Sequence, residues 1–384
     1  MDVTEVLADA VAWRRHLHLH PELSFQEHET AAFVRERLES FGGLELERPT
    51  ETSVVATLRG ALPGPTVALR ADMDALPIEE ESGVEFSSTV PGVMHACGHD
   101  GHTAMLLAVA RLLTQRRDEL PGEVRFVFQH AEELPPGGAA ELVAAGVLDG
   151  VDAIVGCHLI SDLETAKVAV LDGPCMAAAD TFSARIVGKG GHGAFPQHSV
   201  DPIAVAAQAI SSLQQIVSRE TSPIDSVVVS VTRIAAGTAD NIIPEAVEIG
   251  GTVRTFRPEL RARTREAMER VLAGVTAAHR ATYEFRYGDG YPSLTNDPAV
   301  AALVREVAGD RVVDYLPVMG GEDFASYLEA VPGCFFFVGA GGEGAFPHHH
   351  PRFTIDERAL PVGIETMAKS ALLFLEAGVP AALA

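Results

Sequence analysis

Cysteine is scarce in this chain. The 384 residues include 4 cysteines, Cys97, Cys157, Cys175 and Cys334. No two of them form a Cys-x-x-Cys pair, so the sequence shows neither a disulfide framework nor a zinc ribbon. We therefore expect free thiols, a reducing compartment and a cytoplasmic protein. The first residues are acidic and lack the basic-then-apolar pattern of a secretion signal, so no such signal is expected.

Positive charge and long apolar runs are scarce as well. Lys and Arg total 29 against 53 Asp and Glu, which gives a formal net charge of −24. This charge excludes nucleic acid and an anionic membrane as expected partners. No run approaches the roughly 18 consecutive apolar residues of a membrane helix. The apolar fraction of 47% still suits a large core divided between two domains.

The most informative segment is residues 94–102, which reads MHACGHDGH. Cys97 and His99, two residues apart, project to the same side of an extended segment, as metal ligands do. The apolar run that follows, residues 103–113, predicts a buried helix. A Cys-Gly-His sequence by itself is more often a core cysteine beside surface histidines. A metal site therefore requires more donors elsewhere in the chain.

Further donors follow predicted buried strands. Residues 123–129 lead into Glu132 and Glu133, and residues 153–157 lead into His158. In open α/β sheets, ligands gather at the carboxyl ends of the strands. Adjacent carboxylates on a strand point in opposite directions, so one could bind metal while its neighbour moves protons. The alternative is a solvated acidic turn.

Two more segments carry candidate donors. Asp72 and Asp74 alternate at the end of a predicted strand, where they could hold metal ligands or cap the turn before Pro77, and both readings stay open. Near the carboxyl terminus, a predicted strand at 334–339 precedes three consecutive histidines, His348–His350. Residues 311–316 are also predicted to form a strand.

The pattern changes within residues 178–290. Strands are predicted at 181–187, 226–234, 247–256 and 282–287, and helices at 202–219 and 258–279. This β-α-β-β-α-β order is typical of a ferredoxin-like unit. We predict an α/β protein in which an inserted ferredoxin-like α+β satellite domain, residues 178–290, interrupts a catalytic domain. Residues 1–177 and 291–384 then form the catalytic domain, an open mixed sheet with helices on both faces.

The inserted domain offers three polar candidates, His192, Asn241 and Arg254. His192 lies in a glycine-rich loop, where the backbone could approach a substrate and present the imidazole. A single histidine in such a loop is more often just exposed, and a single arginine on a strand is more often a salt-bridging edge residue.

Together, Cys97, His99, Glu133, His158 and one of His348–His350 provide five donors of N, S and O type. This set exceeds one tetrahedral zinc ion, so two metal ions are the natural number. Glu132 remains outside the set as a candidate general base.

These motifs resemble the aminoacylase/carboxypeptidase-G type metallopeptidase family. They are most similar to its amidohydrolase branch, which contains hippurate hydrolases, N-acyl-L-amino acid amidohydrolases and indole-acetyl-amino-acid hydrolases. The resemblance covers nearly the whole chain, from the segment after His16 to His349-His350-Pro351. It implies a metal-dependent enzyme that cleaves N-acyl amino acids or short peptides to a carboxylic acid and a free amino acid. The alternatives are a di-metal dipeptidase or carboxypeptidase, or an inactive metal-bound interaction protein.

The resemblance also implies residue roles. The metal ligands would be Cys97 (bridging), His99, Glu133, His158 and His349. Glu132 would activate water, Asp74 would orient a ligand, His192 would stabilise the oxyanion from a neighbouring subunit, and Asn241 and Arg254 would hold substrate. Asp72 stands where other branches have a metal-binding histidine. His130 stands where many members have proline, so it could change the pocket wall or add a donor.

The resemblance implies cofactors and partners as well. Two divalent ions per subunit are expected, drawn from Zn, Mn, Co and Ni. We expect a homodimer, with a homotetramer as the alternative, and neither nucleic acid nor membrane as a partner.

Overall fold

The computed structural model of the protein describes residues 2–378. The chain forms two compact units. The first contains the residues up to Cys175, Thr295–Leu316 and the residues from Asp323 onward, and the second contains Met176–Leu294 and Pro317–Glu322. Within the described residues, no helix is both long enough and apolar enough to cross a membrane.

The helices and strands follow one another in three stretches of chain. The first stretch forms α1 (Thr4–Leu19), α2 (His28–Phe41), β1 (Glu45–Glu47), β2 (Val54–Arg59), β3 (Leu62–Asp72), α3 (His99–Thr114), β4 (Pro121–Gln129), α4 (Gly138–Ala144), β5 (Ala153–Glu164), β6 (Val168–Ala169) and β7 (Gly173–Met176). The second forms β8 (Ala178–Val187), β9 (Gly191–His192), α5 (Pro202–Gln215), β10 (Val227–Ala236), β11 (Ile242–Ile243), β12 (Ala246–Thr255), α6 (Pro258–Ala278) and β13 (Thr282–Tyr291). The third forms β14 (Leu294–Asn296), α7 (Pro298–Ala308), α8 (Ala325–Leu328), β15 (Gly333–Gly341) and α9 (Leu360–Ala377).

The first unit is built on a seven-stranded sheet in the order β1-β2-β4-β3-β5-β15-β6. The four central strands, β4, β3, β5 and β15, run parallel, whereas β1, β2 and β6 pair antiparallel. Central strands of this kind are covered on both faces and read as continuous apolar runs. In β15 every residue from Gly333 to Ala340 is buried.

Helices cover both faces of this sheet. On one face, Leu69, Phe126 and Phe336 join the core cluster that also contains residues of α1, α3 and α9. On the other face, the hydroxyl of Tyr327, in α8, donates to the side chain of Gln129 over 3.0 Å. The open mixed sheet with helices on both faces is therefore confirmed.

The register of the parallel strands brings the candidate segments to one edge. Asp72 at the end of β3 pairs with Gln129 at the end of β4. Arg70 pairs with Gly156 of β5, which places His158 level with Asp72. The sequence predicts a third strand that ends before His158, but β5 continues through His158 to Glu164. The chain leaves β3 and β4 level with His158, so residues far apart in sequence meet there.

The second unit has a four-stranded antiparallel sheet in the order β10-β12-β8-β13. Helices α5 and α6 pack on one face around Ile186, Leu213 and Met268. The element order and strand order are those of a ferredoxin-like fold, as the sequence predicts. A separate two-stranded ribbon joins β9 to β11.

The predicted strand at 311–316 is wrong. Val312 forms a single bridge to Val168, and the N–H of Val313 donates to the carbonyl of Val168 over 2.9 Å. The neighbouring strand β6 is only 2 residues long. Strand propensity cannot extend a ladder where the partner strand ends.

Asn296 is a buried polar residue that fixes the return of the chain to the first unit. Its amide nitrogen donates to the carbonyls of Leu171 and Phe335 over 3.0 and 2.9 Å, and its amide oxygen accepts the N–H of Phe335 over 2.8 Å. We expect Asn296→Ala to lower the free energy of unfolding by about 2–4 kcal/mol, because buried backbone groups lose their partners. Urea denaturation would measure the change. The exposed control Gln115→Ala should stay within about 0.5 kcal/mol of the parent.

Candidate metal centre

The turn before α3 presents two of the donors. Gly98 has φ 94°, a left-handed conformation that favours glycine, and α3 begins at the next residue, His99. Three residues on, a Cβ on Gly101 would lie 2.5 Å from a methyl carbon of Leu159. Glycine therefore lets the chain turn sharply and lets the helix pack closely on β5. Cys97 and His99 flank this anchored turn, and both are buried.

The five predicted donors come together in two groups that share a cysteine. Cys97, His99 and His158 form one group, and Cys97, Glu133 and His349 form the other. Within each group the candidate ligand atoms all lie within 4.8 Å of one another. Two sets of donors that share a sulfur could hold two neighbouring metal ions.

Hydrogen bonds orient the imidazoles. Nδ1 of His158 donates to the carbonyl of Leu159 over 2.8 Å, which leaves Nε2 facing Sγ of Cys97 at 3.5 Å. Nδ1 of His99 donates to Oδ1 of Asp74 over 3.2 Å, which leaves Nε2 facing Oε1 of Glu133 at 3.9 Å. A histidine that donates through one ring nitrogen offers the lone pair of the other to a metal.

Two atoms of the donor groups, Nε2 of His99 and Oε1 of Glu133, are among the buried side-chain atoms that have no hydrogen-bond partner within residues 2–378. Buried polar atoms are nearly always satisfied, because their desolvation is costly. Oε1 of Glu133 also lies 3.2 Å from Nε2 of His349. A divalent cation bound by these atoms would satisfy them, and a thiolate with imidazoles and a carboxylate suits transition metals. The residues present therefore fit a two-metal site.

The electrostatics of the cluster favour positive charge. Burial, together with Glu133, Glu132 and Asp72, raises the pKa of the Cys97 thiol well above its ordinary value. Burial opposes the charge on His99, but Asp72 and Asp74 outweigh it and raise the pKa of His99 to about 10. A bound cation would reverse the effect on the thiol, because a coordinated sulfur is deprotonated.

Asp74 connects the two groups of donors. Its Oδ1 accepts from His99, while its Oδ2 accepts the N–H of Glu133 over 2.9 Å and the hydroxyl of Ser24 over 2.7 Å. Of the two readings left open for this aspartate, the structure favours the one in which it holds donors in place.

Asp72 and His102 form a second buried pair. Oδ1 of Asp72 accepts from Nδ1 of His102 over 2.6 Å, and Oδ2 accepts from Arg70 over 2.7 Å. Nε2 of His102 accepts the N–H of Leu159 over 2.8 Å, so both of its ring nitrogens are occupied. The sequence analysis gave His102 no role. The spacing of three residues between His99 and His102, which places them on one helix face, could have indicated it.

Glu132 is buried beside the donors, with Oε2 4.0 Å from Nε2 of His99. It lies in a bend after β4 rather than on the strand. His130 lies away from the donor groups. Its Nε2 is 2.9 Å from a carboxylate oxygen of Glu141, and its Nδ1 is 3.4 Å from the hydroxyl of Thr50.

The structure separates the roles available to His348 and His349. Nε2 of His348 accepts the N–H of Ser161 over 3.2 Å, so Nδ1 carries the proton and faces Sγ of Cys97 at 3.6 Å. Burial, followed by the neighbouring His349, lowers the pKa of His348 to about 3, so it is neutral. His348 can therefore donate a hydrogen bond to the sulfur, whereas His349 offers a ligand atom next to Glu133.

The second unit pairs His192 with Asn241 but not with Arg254. His192 pairs with Ile242 in the β9–β11 ribbon, and the N–H of Gly193 donates to the carbonyl of Asn241 over 2.8 Å. Nδ1 of His192 accepts the N–H of Ala194 over 3.1 Å, so Nε2 carries the proton of the neutral ring.

Arg254 lies on β12 of the four-stranded sheet, at the end away from the β9–β11 ribbon. It pairs with Ala179 near the start of β8, whereas Ala246 of β12 pairs with Val187, just before the His192 loop. At about 3.3 Å per residue, these two ends of β12 are roughly 26 Å apart.

A family model settles the classification. The model described as Peptidase family M20/M25/M40 matches residues 68–372 of the chain. The chain belongs to this peptidase family. The family that the motifs predicted is confirmed, and this M20 peptidase is a hydrolase of amide bonds.

Individual proteins show the same relationship. The M20 chain is 60% identical, over 77% of its length and 80% of the relative's, to an N-acyl-L-amino acid amidohydrolase of Geobacillus stearothermophilus. It is 48% identical, over 94% of its length and 96% of the relative's, to an N-acetylcysteine deacetylase of Bacillus subtilis (strain 168). A crystal structure of a dinuclear metal binding M20 peptidase from Bacillus subtilis covers 97% of this chain and 99% of its own, with 43% identity and a TM-score of 0.87.

The two neighbouring histidines of this M20 peptidase can be told apart by metal content. His349→Asn should lose an ion per chain, because the shorter side chain cannot place a ligand atom where Nε2 lies. His348→Asn should retain its metal, because the asparagine amide can replace the Nδ1 donor. Elemental analysis after reconstitution and desalting would measure both. Equal loss of metal in the two variants would contradict the assignment.

Proposed function

We propose that this M20 peptidase is a metal-dependent N-acyl-amino-acid amidohydrolase. Its reaction cleaves the amide bond of an N-acetyl, benzoyl or similar amino acid and yields a carboxylic acid and the free amino acid. The main observation is the pair of donor groups that share Cys97, with the buried carboxylate of Glu132 beside them. The names of the Geobacillus and Bacillus relatives support the same substrate class.

The proposed cofactor is a pair of divalent ions. Cys97, His99 and His158 would hold one ion, and Cys97, Glu133 and His349 the other. When bound, such ions polarise the amide carbonyl and lower the pKa of water toward about 7. The thiolate favours zinc or cobalt over manganese, and nickel also suits nitrogen and sulfur donors. All four cysteines are free, which supports a reducing compartment such as the cytoplasm, where Cys97 stays available as a ligand.

The remaining steps belong to the chain's own residues. Glu132 takes the proton of the attacking water and delivers it to the leaving amine, as a general base and then a general acid. Asp74 keeps His99 and Glu133 oriented through its two carboxylate oxygens. His192 donates through Nε2–H to the developing oxyanion, a contact worth about 2.7–4 kcal/mol in comparable enzymes.

Arg254 supports a substrate that carries a free carboxylate. Within residues 2–378 no carboxylate forms an ion pair with it, and burial lowers the pKa of its guanidinium from the ordinary value. A half-buried guanidinium gains most from a bidentate carboxylate partner. Asn241, beside His192, can donate its amide to the acyl or peptide carbonyl.

The proposed activity can be tested on the metal-loaded protein with a panel of N-acetyl and N-benzoyl amino acids, their carboxamides and dipeptides. N-acyl amino acids should be cleaved with the highest kcat/KM. The carboxamides should be cleaved with a lower kcat/KM, because an uncharged amide cannot form an ion pair with Arg254. Preferential cleavage of dipeptides would favour a dipeptidase or carboxypeptidase. Absence of all hydrolysis would favour an inactive metal-bound interaction protein.

Substitutions of the two adjacent glutamates should have different effects on kcat and on metal content. Glu132→Gln should lower kcat by about 100- to 10,000-fold with metal content unchanged, because only proton transfer is lost. Glu133→Gln should lower metal content as well. Equal loss of metal in both variants, or an active Glu132→Gln enzyme, would contradict this division of roles.

We infer that the active assembly is a homodimer in which His192 serves the neighbouring subunit; a homotetramer built from such dimers is the alternative. The position of Arg254 on β12, at the end away from the ribbon that carries His192, supports this inference. The end of β12 near the His192 loop and the end at Arg254 are roughly 26 Å apart, farther than one small substrate reaches. If Arg254 binds the substrate of its own chain, His192 must act on another.

Mixing two inactive variants tests action across the dimer. Glu132→Gln and His192→Ala proteins are combined under conditions that exchange subunits. If His192 acts in trans, a mixed dimer has one site with both defects and one intact site, so activity should return to at most half of the parent value. Proven exchange without any recovery would place His192 in the site of its own chain.

A further inference from the structure

Glu27 is a fully buried carboxylate that the proposed mechanism does not use. It lies immediately before α2 and has no exposed surface. Its Oε1 accepts the N–H of Ala131 over 2.8 Å and the N–H of Phe25 over 3.0 Å. The contact with Ala131 joins segments 104 residues apart in sequence. It therefore fixes the chain directly before Glu132.

Ala131 adopts an unusual backbone conformation. Its φ is 50°, in the left-handed region, which costs an alanine about 1–3 kcal/mol. Besides the bond from its N–H to Glu27, its carbonyl accepts the N–H of Gly138 over 3.1 Å. A Cβ on Gly138 would lie 2.1 Å from the carbonyl of His130, so glycine is required there. Both peptide groups of Ala131 are thus held, which stabilises the kink.

This kink sets the direction of the chain beside the metal centre. On the far side of Glu132, the N–H of Glu133 donates to Asp74 over 2.9 Å. The backbone of Glu132 is therefore fixed from both sides, by Glu27 through Ala131 and by Asp74 through Glu133. Asp74 also bonds His99, whereas Glu27 is a side chain that holds the backbone before Glu132 without touching a proposed ligand.

We propose that Glu27 is a positioning residue: through the N–H of Ala131 it holds the left-handed turn that aims the carboxylate of Glu132 at the reacting water. This inference rests on the proposed role of Glu132. The important property of Glu27 is the reach of an acceptor oxygen rather than its charge. Burial, followed by repulsion from Asp74, raises the pKa of Glu27, so its surroundings do not favour the ionised form.

Two conservative variants separate reach from charge. Glu27→Gln keeps an acceptor oxygen at the same distance and loses the charge, whereas Glu27→Asp keeps the charge but is shorter by about 1.5 Å. On the metal-loaded enzyme, we expect Glu27→Asp to lower kcat by about 10- to 100-fold with KM and metal content unchanged, since small misplacements of a catalytic group are costly. Glu27→Gln should retain kcat within about threefold.

Glu22 provides a matched control on the same segment. Its carboxylate also accepts two backbone N–H groups, those of Glu29 and Thr30 over 3.2 and 2.8 Å, but these lie in α2. Glu22→Asp should lower the melting temperature without lowering kcat. Equal losses of kcat in Glu22→Asp and Glu27→Asp would show a general loss of stability and overturn the inference. A fully active Glu27→Asp would also overturn it, whatever the activity of Glu27→Gln.

If Glu27→Asp does not fold, the same substitution can be tested in a variant in which the strain at Ala131 has been removed. Glycine adopts positive φ without strain, so Ala131→Gly removes part of the folding cost. The double variant Glu27→Asp/Ala131→Gly should then have a lower kcat than Ala131→Gly alone, and equal values would refute the inference. The Glu132→Gln assay separates the two proposals. An active Glu132→Gln enzyme removes the basis for both, whereas an inactive Glu132→Gln beside a fully active Glu27→Asp removes only the role of Glu27.

Discussion

The arrangement of the candidate metal ligands depends on the carboxylate of Asp74. This one side chain connects Ser24, His99 and the backbone of Glu133, which come from three separate segments of the chain. Because Asp74 is buried, each of these hydrogen bonds is protected from competing water. The carboxylate thus sets the distance between an imidazole on a helix and a glutamate in a loop. Without it, no side chain within residues 2–378 would hold His99 of one donor group and Glu133 of the other at a fixed distance.

The surrounding negative charge is balanced by buried partners. Arg70 bonds both Asp72 and Asp323, each over a distance below 3 Å, and all three side chains are excluded from water. Arg14 and His18 bond Asp100 in the same way, directly after His99. Buried carboxylates of this kind are stable only when they are paired. These ion pairs balance the carboxylates around the site. The carboxylate of Glu133, which faces Cys97, has no such arginine partner among the described residues and would be balanced by a cation.

The sequence predicted much of this arrangement because its signals are local. Buried parallel strands and the donors that follow them can be read from apolar runs and from the residue types at their ends, as for Glu132 and Glu133 after β4. The ferredoxin-like order of the second unit follows from periodicity alone. Glycine at position 98 marks the turn that begins α3, and the family motifs indicated Asp74.

What the sequence could not predict depends on partners far along the chain. The occupied ring nitrogens of His102 and His348 are set by the backbone of β5, and the contact of Glu27 with Ala131 spans two distant segments. A left-handed alanine has no sequence signal, because alanine is most common in helices. The missing strand at 311–316 has the same origin: its residues favour a strand, but the neighbouring strand ends too early to pair with them.

Asn296 has a wider consequence for how the molecule is put together. It bonds Leu171, four residues before the chain first leaves the first unit, and Phe335 of β15, so the first departure and the first return of the chain are fixed side by side. These bonds lie entirely within the first unit, so we expect a change of loop length within residues 176–294 to leave them in place.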